Sequence, residues 1–320
     1  MPQGIYVEIV IAGTVDEVWE KTQDPALHQR WDLRFTHIRY LPRPDPAEPQ
    51  RFRYATRIGF GLGIEGEGES AGSRDEASGR RTSALRFWSA DGRSLIREGA
   101  GYWQYIPTPE GVRFLTWYDY RTRWGVAGRV LDTAFRPLMG WATAWSFDRL
   151  RLWIERGMEP AAAMRLWAVH ALARVTIALV FAWHGLVPKL LFRHPDETAM
   201  LMDGGMGPSA ARAAVVALGV AELLFGAAML LAWRQRSLFL GVIALMAATT
   251  AGVAVNSPRF LAAAFNPVTL NLSVAALAAV GWVASAELPS ARRCLRRKPT
   301  ASAADGTPAA EPASSVRLAP

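Results

Sequence analysis

A chain of 320 residues, 51% of them hydrophobic, has room for two separate cores. Its one cysteine, Cys294, excludes an internal disulfide and any cysteine-built metal or iron–sulfur centre made by a single chain. The net charge of +8 does not argue for nucleic acid. Much of the excess flanks apolar runs, as RQR (234–236) and RRCLRRK (292–298), where basic residues orient membrane spans and meet anionic head groups. A mean hydropathy of +0.08 averages two unlike halves. Residues 1–157 are charged, aromatic and rich in turn formers, whereas apolar runs dominate from about Met164 to Ala284.

The N-terminus, MPQGIYVEIVIAG, lacks a basic region followed by a long apolar core, so no signal peptide is expected and the first domain is placed in the cytoplasm. Tyr6–Ile11 alternates and is β-branched, as a strand does. Thr14 and Glu17 have the spacing of a capping box for a helix carrying Val18 and Trp19, and ALHQRWD after Asp24-Pro25 reads as a second short helix. Strands are expected over 35–41, 51–58, 64–71, 82–89, 97–106 and 112–120, with a proline-rich loop at 42–49. Short turns between successive strands favour an antiparallel meander. A long helical pattern follows from about Trp124 to Arg156, with Leu131, Leu138, Trp141 and Trp145 among its recurring apolar positions and a kink expected at Pro137.

This order of elements, opening on TVDEVWEKTQDPALHQRWD, resembles the SRPBCC or START-like superfamily over residues 4–157. The resemblance implies an α+β helix-grip fold: a curved antiparallel sheet around a long C-terminal helix, with an apolar cavity between them. Such domains bind lipids, sterols, polyketides and other hydrophobic molecules, and a minority are enzymes. The residues supply a candidate wall, namely Trp31, Phe35, Tyr54, Phe87, Trp103, Tyr105, Phe114 and Tyr118 with Leu131, Leu138, Trp141 and Trp145 from the helix. Each alone is a normal core residue; together they suit a mostly apolar pocket. Asp32, His28, His37 and Asp119 are the titratable candidates, but none shows a nucleophile–base spacing, and each reads as a turn, cap or surface residue. No metal ligand set is expected. The glycine-rich GFGLGIEGEG (59–68) precedes no helix and reads as bulged strands rather than a phosphate loop.

Four membrane spans are expected at Leu166–Val187, Ala213–Trp233, Leu238–Val255 and Val268–Ala284. The first is 22 residues long, matching a hydrocarbon core of roughly 30 Å at about 1.5 Å per residue. Nine Lys and Arg residues at one set of span ends against four at the other place both termini inside the cell, in a bacterial-type inner membrane. The tail 299–320 is small and polar, the composition of a disordered segment. FAWHGLVPKLLF with HPDETAML, GVAELLFG and FNPVTLNLSV resembles the DoxX-like membrane family over about residues 164–288, so a membrane domain is set at 158–298.

Polar residues inside spans carry most information. Arg174 and Glu222 lie at similar expected depths and are expected to pair. His184, Lys189, Asn256, Asn266 and Asn271 are expected to gather towards the outer leaflet, either as interhelical hydrogen bonds or, for His184 with Lys189, as a ligand or quinone contact. The reading these features favour is a membrane protein whose cytoplasmic domain binds a lipid-like or other apolar molecule. An accessory subunit of a membrane oxidoreductase that contacts quinone is the alternative. A cyclase- or hydrolase-type enzyme acting in the cavity is the third, and binding is favoured over catalysis. Apart from quinone no cofactor is evident, and the expected partners are an apolar small molecule and membrane lipids, not nucleic acid.

Overall fold

The computed structural model describes residues 4–59, 61–264 and 266–299, so the tail from residue 300 on lies outside the described residues. The chain divides into two compact units, one of residues 1–163 with the segment from Pro289 on, the other Met164–Leu288.

The first unit opens with strand β1 (Ile5–Ile11), then helices α1 (Val15–Gln23) and α2 (Pro25–Trp31). Strands β2 (His37–Tyr40), β3 (Arg51–Gly59), β4 (Leu62–Asp75), β5 (Arg81–Trp88), β6 (Ile96–Thr108) and β7 (Gly111–Thr122) follow, and helix α3 (Gly125–Arg156) ends the run. The capping box forms at α1: Glu17 N–H donates to Thr14 Oγ1 at 3.2 Å, and Thr14 N–H donates to Glu17 Oε2 at 2.8 Å. The seven strands make one antiparallel sheet in the order β1-β7-β6-β5-β4-β3-β2. The sheet curves around α3, which is the helix-grip fold. Helix α3 is continuous through Pro137. Its second half, Thr143–Leu150, is buried at every position, whereas its first half is largely exposed. Phe114 of β7 stacks on Phe147 of α3 at 4.4 Å, so the dry core lies under the second half of the helix.

Two buried charges fix that half. Arg149 donates to the carbonyls of Arg30, Trp31 and Pro160 at 2.9–3.1 Å, the first two being acceptors that the end of α2 leaves unpaired. Its burial lowers its pKa to about 10. Asp148 accepts from Arg151 Nε and from Ser290 N–H, both at 2.7 Å. The segment after Pro289 thus packs on the first unit, with Leu295 and Glu8 exchanging backbone hydrogen bonds at 2.9 Å and Cys294 Sγ 3.2 Å from the Ala144 carbonyl. The membrane domain expected at 158–298 therefore ends earlier, since the segment from Pro289 on belongs to the first unit. Its contacts are with a carboxylate and a strand edge.

The second unit contains α4 (Pro160–His184, its first residues in the first unit), a π-helical segment Gly185–Leu191, α5 (Pro195–Asp203), α6 (Pro208–Leu231), α7 (Ser237–Asn256) and α8 (Pro267–Ala284). Among the described residues four helices are long and apolar enough to cross a membrane: Pro160–Leu191, Pro208–Leu231, Ser237–Asn256 and Pro267–Ala284. Pro188, which has no N–H to donate, sits inside the π-helical segment. A Cβ on Gly185 would stand 2.5 Å from the Gly219 carbonyl oxygen, so the π-helical segment and α6 meet there in a contact that only glycine permits. The short helix α5 was not foreseen in the sequence.

Candidate functional site

The first unit holds a cavity of about 700 Å³ between the sheet, α2 and the first half of α3, within the range of small-molecule sites. Phe35, Tyr54, Phe87, Trp103, Tyr118 and Leu138 line it, with Phe135, Met139 and Ala142 of α3. The other six candidate wall residues lie elsewhere. Trp31, Tyr105, Phe114 and Trp145 are buried without lining the cavity, and Leu131 and Trp141 are exposed. Alternation along a strand tells which face points inward, but not where the packed core ends and open space begins.

The polar end of the cavity is built by α2. Asp24 caps the helix by accepting from Ala26 N–H at 2.7 Å, and Pro25 takes the first helical position, where a missing N–H costs nothing. One turn on, His28 enters the cavity wall, its ring stacked on Trp31 at 5.0 Å and edge-on to Phe35 and Trp103. Four residues further, Asp32 is buried and receives four donors. They are Arg34 N–H at 3.0 Å, Arg34 Nε at 2.9 Å, Arg34 Nη2 at 2.6 Å and His28 Nε2 at 3.1 Å.

Burial alone would raise the Asp32 pKa, but the Arg34 charge and the hydrogen bonds from both neighbours hold it well below the usual carboxylate range. Burial likewise works against the Arg34 charge, and the Asp32 carboxylate overrides it, so the guanidinium is held above its ordinary value. His28 goes the other way. Burial lowers its pKa more than Asp32 raises it, leaving a neutral imidazole that donates from Nε2 to an acceptor-only carboxylate. From sequence, His28 and Asp32 each read as a turn, cap or surface residue. The structure makes them members of one clamped cluster, and the signal that could have shown it is their spacing of four on a helix.

A second polar group lies at the α1 side. Tyr105 Oη is 2.6 Å from Thr22 Oγ1 and 2.9 Å from Gln23 Nε2, and Thr22, Gln23 and Ser83 reach the cavity. Asp119 is a packing group: it accepts from Arg136 Nη1 at 2.7 Å, while Arg136 Nε donates to Asp132 at 2.8 Å, tying α3 to β7. His37 is exposed on β2.

The membrane-half candidates are brought together differently from the expectation. Arg174 does not pair with Glu222. Its guanidinium donates to the carbonyls of Met229 (2.7 Å), Ala232 (2.8 Å) and Gln235 (2.6 Å), around the C-terminal end of α6. Such carbonyls have no partner within their own helix and carry its negative dipole end, so they suit a cation. The Gly185–Gly219 crossing sets a register that puts Arg174 beside Met229, not Glu222. Glu222 instead faces Lys189, whose Nζ is 3.1 Å from Glu222 and 3.3 Å from Glu197 of α5. His184 is half-buried at the end of α4, with no hydrogen bond among the described residues. Asn271 donates to Thr249 and Thr250 of α7, Asn266 caps α8, and Asn256 bonds back to Gly252. Among the described residues no group of His, Cys, Asp and Glu could hold a metal ion.

Residues 178–279 match the DoxX-like family. An uncharacterised membrane protein of Bacillus subtilis (strain 168), YndG, is 46% identical over 183 residues, covering 57% of this chain and 68% of that protein. The chain belongs to the family of this membrane protein, with a DoxX-like second half. Solved structures are similar to the first unit. A STAR-related lipid transfer protein fragment of Xanthomonas axonopodis has 14% identity, a TM-score of 0.36, and covers 45% of this chain and 81% of its own. A protein of Thermus thermophilus has 18% identity, a TM-score of 0.33, and covers 43% and 86%. The di-domain ARO/CYC StfQ of the steffimycin biosynthetic pathway has 15% identity, a TM-score of 0.36, and covers 48% and 51%. The assignment of the fold rests on the chain's own sheet order and helix.

Proposed function

We propose that this membrane protein binds an apolar or amphiphilic small molecule in the cavity of its first unit, with the four-helix half holding that unit at the membrane where such molecules partition. The observation that carries this reading is the cavity itself, an open volume walled largely by aromatic and aliphatic side chains. Both termini lie on the cytoplasmic side by the positive-inside count of nine basic residues against four. A reporter fused at either end would contradict that orientation by signalling from the opposite compartment.

The test of binding is fluorescence of an environment-sensitive apolar dye added to the full chain in lipid nanodiscs. Ala84 of β5 and Ala142 of α3 line the cavity on different elements, and both are small. Ala142→Phe and Ala84→Trp are expected each to reduce dye binding several-fold by filling the space. Dye binding that neither substitution changes would reduce the cavity to a packing defect.

A further inference from the structure

We propose that the cavity selects amphiphiles with an anionic head group, a carboxylate or a phosphate monoester, seated against Arg34 with Arg43 and Arg57 nearby. This rests on the reading of the cavity as a ligand site and adds the chemistry of the ligand. The charged residues of the wall are all of one sign. Arg34, Arg43, Arg57 and Arg93 line it, and no Asp or Glu does.

The arrangement of the buried pair gives that count its direction. Asp32 is buried behind the wall with both carboxylate oxygens already taking donors from Arg34 and His28. Arg34 stands in the wall, its guanidinium 5.4 Å from the Tyr118 ring centre and 5.5 Å from that of Phe35. The pair is therefore a fixed dipole with its positive end towards the apolar space. Nε and Nη2 are engaged by Asp32 and the Tyr118 side chain also meets the guanidinium, so an incoming anion is met by the positive end of a charge already held in place. In surroundings of low dielectric a pre-set dipole acts on a charge more strongly than the same groups do in water.

The other basic groups differ in how far they are already neutralised. Arg93 is held by Asp91 at 2.8 Å. Arg43 and Arg57 make no ion pair among the described residues. His28, the remaining titratable group of the wall, is neutral and turns its N–H to Asp32, so it neither attracts nor repels a head group strongly. A molecule with an apolar body and an anionic head satisfies both parts of this cavity. A cationic head meets only repulsion, and a neutral one gains nothing from the arginines.

The experiment uses the full chain in phosphatidylcholine nanodiscs and four photoactivatable diazirine probes with one palmityl chain and different heads: carboxylic acid, monophosphate, alcohol and amine. Adducts are mapped by peptide mass spectrometry to the cavity wall. The acid or the monophosphate is expected to label the wall about tenfold more than the alcohol, the scale of one charge-assisted hydrogen bond, and the amine least. The acid-to-phosphate ratio tells which anion is preferred. Arg57→Gln, at an exposed position, is expected to lower labelling by the anionic probes about threefold and leave the alcohol unchanged. The double change Asp32→Asn with Arg34→Gln, which removes both buried charges together, is expected to bring the anionic probes down to the alcohol level. Should that variant not fold, the ranking of the four probes on the unaltered chain decides alone. Equal labelling by acid, phosphate and alcohol, or strongest labelling by the amine, would overturn the selectivity and leave the ligand site standing. Absence of wall adducts from all four would overturn both.

Discussion

Arg34 in the first unit and Arg174 in the second are both withdrawn from water and both lie among aromatic rings, Arg174 within 4.9 Å of the Phe239 ring centre and Arg34 within 5.4 Å of that of Tyr118. Their partners differ. Arg34 is neutralised by a carboxylate set behind it and shows its face to open space. Arg174 spends its donors on three backbone carbonyls at the end of a helix and is enclosed. The same contrast holds for the other polar groups. Lys189 is shared by Glu197 and Glu222, and Asn271 joins α7 to α8, whereas His28, Gln23 and Ser83 reach a cavity. Most of the named polar residues of the second unit join one helix to another, whereas His28, Arg34, Gln23 and Ser83 of the first border open volume, and the proposed ligand site follows from that difference.

The largest effect that would sharpen this contrast is expected at Asp32. Asp32→Ala leaves Arg34 buried and uncompensated, and removing one partner of a buried pair typically costs about 3–5 kcal/mol. Thermal unfolding of the full chain should show that loss, and the double change with Arg34→Gln should recover part of it. Full additivity of the two losses would mean that the pair is not coupled. Next comes Arg174→Leu, which removes a donor from three carbonyls, of which Ala232 keeps the Gln235 N–H, and is expected to cost about 2–3 kcal/mol. Because Arg174 and Glu222 share no partner, their losses should add to within about 0.5 kcal/mol, while those of Lys189 and Glu222 should not.

A smaller, pH-dependent effect belongs to His28. Its folded-state pKa lies below the ordinary 6.5, so below that value the unfolded chain takes up a proton that the folded chain refuses. The His28 contribution is complete above pH 6.5 and is lost as pH falls from there, and the loss due to Asp32, whose pKa is depressed from 3.8, begins only below about that value. Unfolding midpoints measured from about pH 7 down to about pH 5 should fall less steeply in His28→Gln than in the unaltered chain. An identical slope would remove His28 from the account. The smallest effect is expected at Asn271→Ala, about 0.6 kcal/mol for interhelical hydrogen bonds of this kind.

Much of the fold was legible because its signals are local. Alternation in the first strand and short turns between the later ones located the strands, the Thr14–Glu17 spacing located the first helix, and apolar length located the four long helices. The site was less legible because it depends on register and on space. The positions of Arg174 and Glu222 gave depths but not the close contact of the π-helical segment with α6, which a pair of glycines permits. The aromatic residues marked an inward face, yet Tyr105 and Phe114 pack solidly while Tyr54 and Phe87 border open volume. The clamp on Asp32 needed Arg34, which lies beyond the end of α2, to turn back onto it.

The most direct test of the central claim is native mass spectrometry of the full chain released from its own membrane, compared with Ala142→Phe. The account predicts an apolar or amphiphilic small molecule retained by the unaltered chain and lost from the variant, with the bundle intact in both. Retention of the same molecule by both proteins, or of none by either, would contradict it.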